Sequence, residues 1–168
     1  MSRELHAHFR TFAGYNAWAN KRLYGAVAKL PEAEYLKPRE AFFKSIHATL
    51  NHILVGDRLW LGRLTGRDAG IKSLDQMLYA DLAGLRVARQ AEDARLIAYV
   101  DRLSETDLLG SASYRNTEGK PFTVPLAQVL GHIFNHQTHH RGQVHDLLSQ
   151  TKVAPPELDL IYYLREDH

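Results

Sequence analysis

Four long stretches in which apolar residues recur with the period of an α-helix fill most of this chain. The first is predicted over residues 4–30 and ends at Pro31, a residue that cannot continue a helix. The second is predicted over residues 45–64 and ends at the turn-forming sequence TGRDAG. Helices of this length must each bury one face, which they do most simply against one another.

The second half of the chain adds two long helices and a connection of different character. Ser73 and Gln76 have the spacing of a capping box, which predicts a third helix from there to about residue 103. The segment 111–124, SASYRNTEGKPFTV, combines alternation with turn residues and is expected to form a small hairpin or an irregular crossover. A fourth helix is predicted over residues 126–150.

Length and composition agree with a single domain. The chain has 168 residues, of which 45% are hydrophobic and 24% are charged, the balance of an ordinary globular protein. We therefore expect one all-α domain over residues 1–168, a four-helix bundle with one long crossover connection and a short C-terminal segment. The N-terminus lacks an apolar signal core and no apolar run is long enough to span a bilayer, so a cytoplasmic protein without a membrane partner is expected.

Charge and cysteine content narrow the classes of partner and ligand. The formal charge is only +2 and basic residues are interspersed with acids, a pattern that argues against a nucleic-acid partner. The chain has no cysteine, which excludes disulfides and thiolate ligands. Any bound metal ion must therefore be held by histidine, aspartate or glutamate side chains.

Five of the ten histidines lie in one short stretch of the fourth predicted helix, HIFNHQTHHRGQVHDLL. Helical geometry places His140 within the apolar face and His136 at its edge. His132 and His139 are expected nearer the rim, and His145 on the other side of the helix.

His136 and His140 are four residues apart, so their imidazoles are neighbours on the helix surface and can converge on one metal ion. This is the spacing of the zinc-binding pair in metalloproteases, but Gln137 stands where those enzymes have a catalytic glutamate. A hydrogen-bonded core role is the alternative for the pair, and His132 with His136 forms a competing pair of the same spacing.

A third ligand has to come from another helix, because two imidazoles hold a metal ion too weakly. His47 and His52 flank the apolar stripe of the second predicted helix, and periodicity does not choose between them. Asp57 lies within that stripe, where a carboxylate needs a partner. We expect it to pair with an arginine or a tryptophan N–H, with a metal-associated role as the alternative.

Four sequence elements resemble the DinB/YfiT-like family of helical-bundle metalloproteins: YNAWANKRLY, FFKSIHATLNH, LNHILVGDRLWL and HIFNHQTHHRGQV. The resemblance covers nearly the whole chain and implies a four-helix bundle, a homodimer and a divalent metal ion held by three histidines. By position, these ligands correspond to His52, His136 and His140.

The resemblance also carries expectations for residues around the ligands. Asn16, Trp18 and Asn20 match first-helix positions that often pack near the family's site. The alternative is that they serve ordinary helix packing or are polar side chains facing solvent. Arg141 is expected to make a structural ion pair, and Gly142 to permit close approach of a neighbouring helix.

Three neutral ligands would leave a metal ion with an open coordination position, as in catalytic zinc sites. The resemblance, which includes thiol-dependent transferases, favours a metal-dependent enzyme that transfers a low-molecular-weight thiol to an electrophilic small molecule. The alternatives are a metal-dependent hydrolase that uses bound hydroxide, with His132, His139 or Asp57 as base or shuttle, and a non-enzymatic metal-binding stress-response protein. Zinc or nickel is the expected ion, with manganese and iron as alternatives.

Overall fold

The structure, a computed structural model, describes residues 2–166. The expectation of an all-α fold is confirmed, because helices dominate this part of the chain and its only sheet is a two-stranded hairpin. In chain order the elements are α1 Ser2–Val27, α2 Glu32–Leu36, α3 Ile46–Thr65, α4 Leu82–Arg102, α5 Glu105–Leu109, β1 Ser111–Arg115, β2 Pro121–Pro125, α6 Leu126–Ser149 and α7 Leu160–Arg165.

The four long helices pack as a ring in the order α1, α4, α3, α6. Helix α1 contacts α4 and α6, and α3 contacts the same two helices from the other side. The expected long crossover is the connection from α4 to α6, which contains α5 and the hairpin and joins helices on opposite sides of the ring. Since α3 lies directly against α6, the histidines of these two helices can meet.

Local capping fixes both ends of α3. The Ser45 hydroxyl accepts a hydrogen bond from the Ala48 N–H at 3.0 Å, which satisfies one of the free donors of the first turn. At the other end Gly66 adopts a left-handed conformation with φ of 67°, and its N–H bonds back to the Gly62 carbonyl. These signals place the start and end of α3 within one residue of the sequence prediction.

The predicted start of the third long helix is wrong. Helix α4 begins at Leu82, with Asp81 as its N-cap, instead of at residue 73. Residues 72–80, here called the strap, are held on α3 by Asn51, whose Oδ1 accepts from the Leu78 and Tyr79 N–H groups at 2.9 and 3.1 Å. This side chain satisfies strap backbone groups that a helix would otherwise have paired internally, so a tertiary contact overrides the local capping signal.

The connection between α4 and α6 resolves into the hairpin alternative. Ser104 and Asp107 form a capping box at the start of α5. Strands β1 and β2 then pair antiparallel, with Ser113 opposite Thr123. The expected short C-terminal segment contains the helix α7.

The interior is divided by a layer of polar side chains. One apolar cluster, around Leu23, Leu50 and Val144, fills one half of the bundle, and a second, around Phe9 and Leu130, fills the other. Between them lies a set of buried polar and charged residues, here called the polar layer: Asn16, Asn20, Asp57, Arg89, Asp93, Gln137 and Arg141. Each apolar half contributes hydrophobic stabilisation, whereas the layer must satisfy its own charges.

Candidate metal centre

His52 from α3 and His136 and His140 from α6 come together where the two helices pack. One ring nitrogen from each lies within 4.8 Å of the other two. The ring centroid of His140 is 4.5 Å from that of His52 and 4.4 Å from that of His136. The structure therefore assembles the three histidines that the family resemblance selects.

The strap fixes the orientation of His52. Its Nδ1 lies 2.7 Å from the Leu74 carbonyl oxygen, which can only accept, so Nδ1 carries the proton. The unprotonated Nε2 is then directed at the other histidines, 3.1 Å from Nε2 of His136. A carbonyl partner on the far nitrogen is the usual arrangement for a histidine that ligates a metal ion.

His140 is oriented in the same way from within its own helix. Its Nδ1 lies 2.8 Å from Oε1 of Gln143, one turn further along α6. Because Nδ1 donates to this acceptor, Nε2 is unprotonated and is the nitrogen available to bind a metal ion.

His136 has room because α3 carries a glycine opposite it. A Cβ atom on Gly56 would lie 2.7 Å from Cε1 of the His136 ring, closer than real Cβ contacts come. Gly56 follows His52 by one helical turn, so α3 supplies one ligand and the space for another. This is the close approach that the sequence analysis assigned to Gly142.

Phe43 covers one side of the group, although the sequence analysis gave it no role. Its ring stacks on His52 with centroids 4.0 Å apart and meets His140 edge-on at 5.6 Å. The histidines, Phe43 and Leu74 line an open pocket of about 660 Å³, which is in the size range of small-molecule sites. Phe42, at 82% exposure, stands at its edge.

All three histidines are neutral at pH 7. Burial and the neighbouring histidines lower the pKa of His136 to about 3. Burial also lowers the pKa of His52 and of His140, against the opposing effects of the hydrogen bonds to Leu74 and Gln143. Neutral imidazole is the form that binds metal ions.

The donor set fits a divalent cation. Three neutral imidazoles present ring nitrogens within 4.8 Å of one another, and a divalent cation bound by all three would replace the 3.1 Å contact between Nε2 of His52 and Nε2 of His136. Nitrogens bound to one zinc ion at about 2.1 Å lie up to about 4.2 Å apart, so side-chain shifts of less than about 1 Å would close the group around an ion. The described residues thus include a histidine group that could bind a metal ion.

The other histidines lie outside the group. His47 is buried on α3, where its Nδ1 lies 2.5 Å from the Tyr35 hydroxyl, so the structure places His52 rather than His47 with the α6 pair. His132 and His139 are exposed at the rim as expected, with rings 5.9 Å from His136 and 4.7 Å from His140. His145 is half-buried and bonds the Pro156 carbonyl, so its expected surface position is only partly correct.

Asp57 faces away from the histidines into the polar layer, where it pairs with an arginine as expected. One of its oxygens lies 2.7 Å from the Arg89 guanidinium, which also lies 3.0 Å from Asp93. Burial raises the pKa of Asp57 to about 6 against the effect of Arg89, so the carboxylate is ionised at pH 7. Gln137 donates its amide hydrogen bond to this carboxylate.

Residues of α1 complete the polar layer without reaching the histidines. Asn16 and Asn20 donate to Asp93 at 3.0 and 2.9 Å. Within residues 2–166 Arg141 has no carboxylate partner, contrary to the expected ion pair. Its guanidinium donates instead to the side-chain oxygens of Asn16 and Gln137.

The structure also tests what the resemblance implied for Trp18 and Gly142. Trp18 donates its indole hydrogen bond to Glu166 at 2.7 Å, outside the polar layer. The expected close helix approach at Gly142 is wrong, because a Cβ atom there would meet nothing within 4 Å.

A helical bundle in which two helices direct three histidines into one open pocket defines a protein with a candidate mononuclear metal site. The sequence profile of the DinB family matches residues 1–167, and the chain belongs to this family. It is also similar to the protein DinB of Bacillus subtilis (strain 168), with 26% identity over 163 residues that cover 89% of this chain and 90% of the relative. Within the described residues, no helix is long and apolar enough to cross a membrane.

Proposed function

We propose that His52, His136 and His140 bind one divalent metal ion and that the protein catalyses transfer of a low-molecular-weight thiol to an electrophilic small molecule. The observation that supports this proposal best is the convergence of three neutral, oriented imidazoles on one open pocket. A site with three protein ligands leaves a coordination position for a substrate, which distinguishes catalytic from closed structural sites.

A divalent cation bound there would keep its full charge and would favour the deprotonated form of a coordinated thiol. The chain has no cysteine, so the thiol has to arrive from solution. The reaction would form a bond from the thiol sulfur to the electrophilic carbon, break the bond to the leaving group, and release the thiol proton to solvent.

Apart from the three proposed ligands, His139 is the side chain of the pocket lining that the hydrolase alternative could use as a base, whereas the nearby carboxylates are poorly suited to that role. Gln137 and Asp57 are directed into the polar layer, away from the pocket. Asp75 is the carboxylate that lines the pocket, and its hydrogen bond from Ser73 lowers its pKa, which makes it a weaker base. Hydrolysis requires activation of water and a proton shuttle, whereas a thiolate is a nucleophile as it stands.

The apolar side of the pocket indicates the character of the electrophile. Phe42, Phe43 and Leu74 are the apolar side chains of its lining. The Phe43 ring lies over His52, where it limits access of water to that imidazole and offers a flat surface to an apolar group. We therefore propose an electrophile with an apolar or aromatic body.

Zinc or nickel is the proposed ion, with manganese and iron as alternatives, because imidazole suits several transition metals. A homodimer is the proposed assembly and rests on the family resemblance.

The test begins with elemental analysis of protein purified without a metal-affinity tag. Metal-free and reloaded samples are then assayed against a panel of electrophiles, with and without added thiol. Thiol-dependent turnover in the reloaded sample alone supports the proposal. Product release without thiol would identify a hydrolase instead. Metal-dependent thermal stability without turnover would indicate a binding role.

A further inference from the structure

A second pocket lies beside the candidate metal centre and differs from it in charge. It is a groove of about 670 Å³ between the C-terminal end of α3, the start of the strap and the hairpin. Its charged lining consists of four cations and one acid, which are Arg63, Arg67, Lys72, Arg115 and Asp68. This local excess of positive charge contrasts with the nearly neutral chain as a whole.

The cations of this groove are not neutralised from within the protein. Among residues 2–166, none of the four forms an ion pair with a carboxylate, while arginines elsewhere on the surface, such as Arg10 and Arg22, do. The single acid, Asp68, accepts a hydrogen bond from the Gly70 N–H in its own turn. Arg115 donates one hydrogen bond to the Gly119 carbonyl at 2.7 Å, which leaves its charge without a counterion. The groove therefore presents cationic donors to solvent, the arrangement that binds carboxylate or phosphate groups.

Arg63 is the best-positioned of these cations. Its guanidinium lies over the Trp60 ring at 4.7 Å and over the Tyr114 ring at 5.0 Å. Stacking on two rings restricts the side chain and leaves the in-plane N–H groups free for an anion. Burial lowers the pKa of Arg63, as expected for a charge that lacks an anionic partner.

A row of rings connects this groove to the histidine group. Trp60 meets His132 with centroids 5.1 Å apart, and His132 meets His136 at 5.9 Å. Trp60 is eight residues beyond His52 on α3, a distance of about 12 Å along the helix axis. An extended molecule the size of a tripeptide covers that distance, since each extended residue spans about 3.5 Å.

We propose that the Arg63 groove is a subsite for the anionic end of the small-molecule thiol, whose sulfur reaches the histidine group along the Trp60–His132 surface. The inference rests on the proposed function for the identity of its ligand. It adds a substrate class: a thiol of tripeptide size that carries a carboxylate or phosphate at the end remote from sulfur.

The anion site itself is tested in metal-free protein, independently of activity. Succinate and inorganic phosphate are titrated at constant ionic strength while the ¹H–¹⁵N signals of the Trp60 indole and the Tyr114 amide are followed. The two probes distinguish carboxylate from phosphate. We expect saturable shifts, with affinity reduced about tenfold in Arg67→Gln/Lys72→Gln, since each lost charge contact weakens binding.

The matched control removes two exposed charges elsewhere, in Lys29→Gln/Lys152→Gln, and is expected to keep the wild-type affinity. Arg63→Lys retains the charge and is expected to bind more weakly than wild type but more tightly than Arg63→Gln. Absence of saturable shifts, or equal weakening in the control, would overturn the inference.

The assignment of the anion to the thiol is tested in reloaded protein with glutathione and its diethyl ester, which lacks the carboxylates. We expect Arg67→Gln/Lys72→Gln to raise KM for glutathione about tenfold without changing KM for the ester. Equal KM changes for both would overturn the assignment. Turnover of neither thiol, with anion binding intact, would count against the proposed function and leave the anion site standing.

Discussion

The polar layer and the histidine group are both buried polar clusters between the same helices, yet they are constructed in opposite ways. In the polar layer each charge meets an opposite charge or an amide, as Asp57 does with Arg89 and Gln137. In the histidine group three neutral imidazoles face one another with no opposite charge among them, and the Nδ1 atoms of His52 and His140 have their partners outside the group. In the first cluster charges meet opposite charges within the protein, whereas the second presents ring nitrogens that a cation could bind.

Gln137 marks the boundary between the two clusters. It follows His136 directly in sequence, but its side chain points into the polar layer while the imidazole points into the pocket. Adjacent helical residues diverge by about 100°, so one turn of α6 serves structure on one face and the candidate site on the other. We therefore expect substitutions in the polar layer to alter stability, and substitutions in the histidine group to alter metal binding.

The largest expected effect is on stability, from breaking the polar layer. We expect Asp57→Ala to lower the free energy of unfolding by about 3–5 kcal/mol, because Arg89 is left buried with one partner fewer. Urea unfolding followed by circular dichroism measures the change. The control is Arg10→Ala, which removes one member of the exposed Arg10–Asp101 pair and is expected to cost less than about 1 kcal/mol. A similar loss in both variants would contradict the contrast between the clusters.

The next effect is on metal affinity. We expect His136→Ala to reduce affinity for a divalent ion by at least about a hundredfold, more than the loss of an outer partner typically causes. Isothermal titration with zinc or nickel measures it, and circular dichroism checks that the fold persists. His47→Ala, on the same helix as His52 but bonded to Tyr35, is the matched control and should keep wild-type metal affinity. Loss of affinity in the control would refute the assignment of ligands.

The lowered histidine pKa values predict a pH effect on the metal-free protein. Below the ordinary histidine pKa of 6.5 the unfolded chain binds protons at these positions, whereas folded His136 binds one only near pH 3. Stability should therefore fall as pH falls through this window. Relative to wild type, His136→Gln should reduce the slope of unfolding free energy against pH by up to about 1.4 kcal/mol per pH unit.

The comparison with wild type is essential in that experiment, because Asp57 changes the pH dependence of the unfolding free energy in the opposite direction. Its raised pKa means that the folded state holds a proton that the unfolded chain has lost, so this contribution to stability disappears as pH rises toward 6. Both proteins contain Asp57, and its contribution cancels in their difference. An unchanged slope between about pH 4 and pH 6 would show that His136 titrates normally in the folded protein.

The smallest expected effects come from replacing two helical glycines, Gly56 and Gly142, by alanine. Gly56→Ala should displace the His136 ring and weaken metal binding about tenfold, since the new Cβ would meet it at 2.7 Å. Gly142→Ala meets nothing and should stabilise the protein by about 0.5–1 kcal/mol through helix propensity, with metal affinity unchanged. Thermal unfolding and metal titration measure the pair. Equal metal affinity in both variants would show that α3 can move to accommodate a side chain.

Features that depend on residues close together in the chain were predictable from the sequence alone. Periodicity located the four long helices, and the spacing of His136 and His140 placed their imidazoles side by side, because both follow from the 3.6-residue helical repeat. The capping signal at Ser73 was misleading, since it competed with Asn51, a side chain of another helix that holds the strap backbone.

Tertiary packing sets the rotation of each helix about its own axis and therefore the side chains that meet between helices. His52 meets His136 across 84 residues of sequence, and only the packing of α3 on α6 separates it from His47. Tertiary packing also brings three other features to the histidines: the Leu74 carbonyl, the Phe43 ring and the space left by Gly56. A single sequence contains no periodicity that relates residues on different elements, so their distances emerge only when the apolar faces pack.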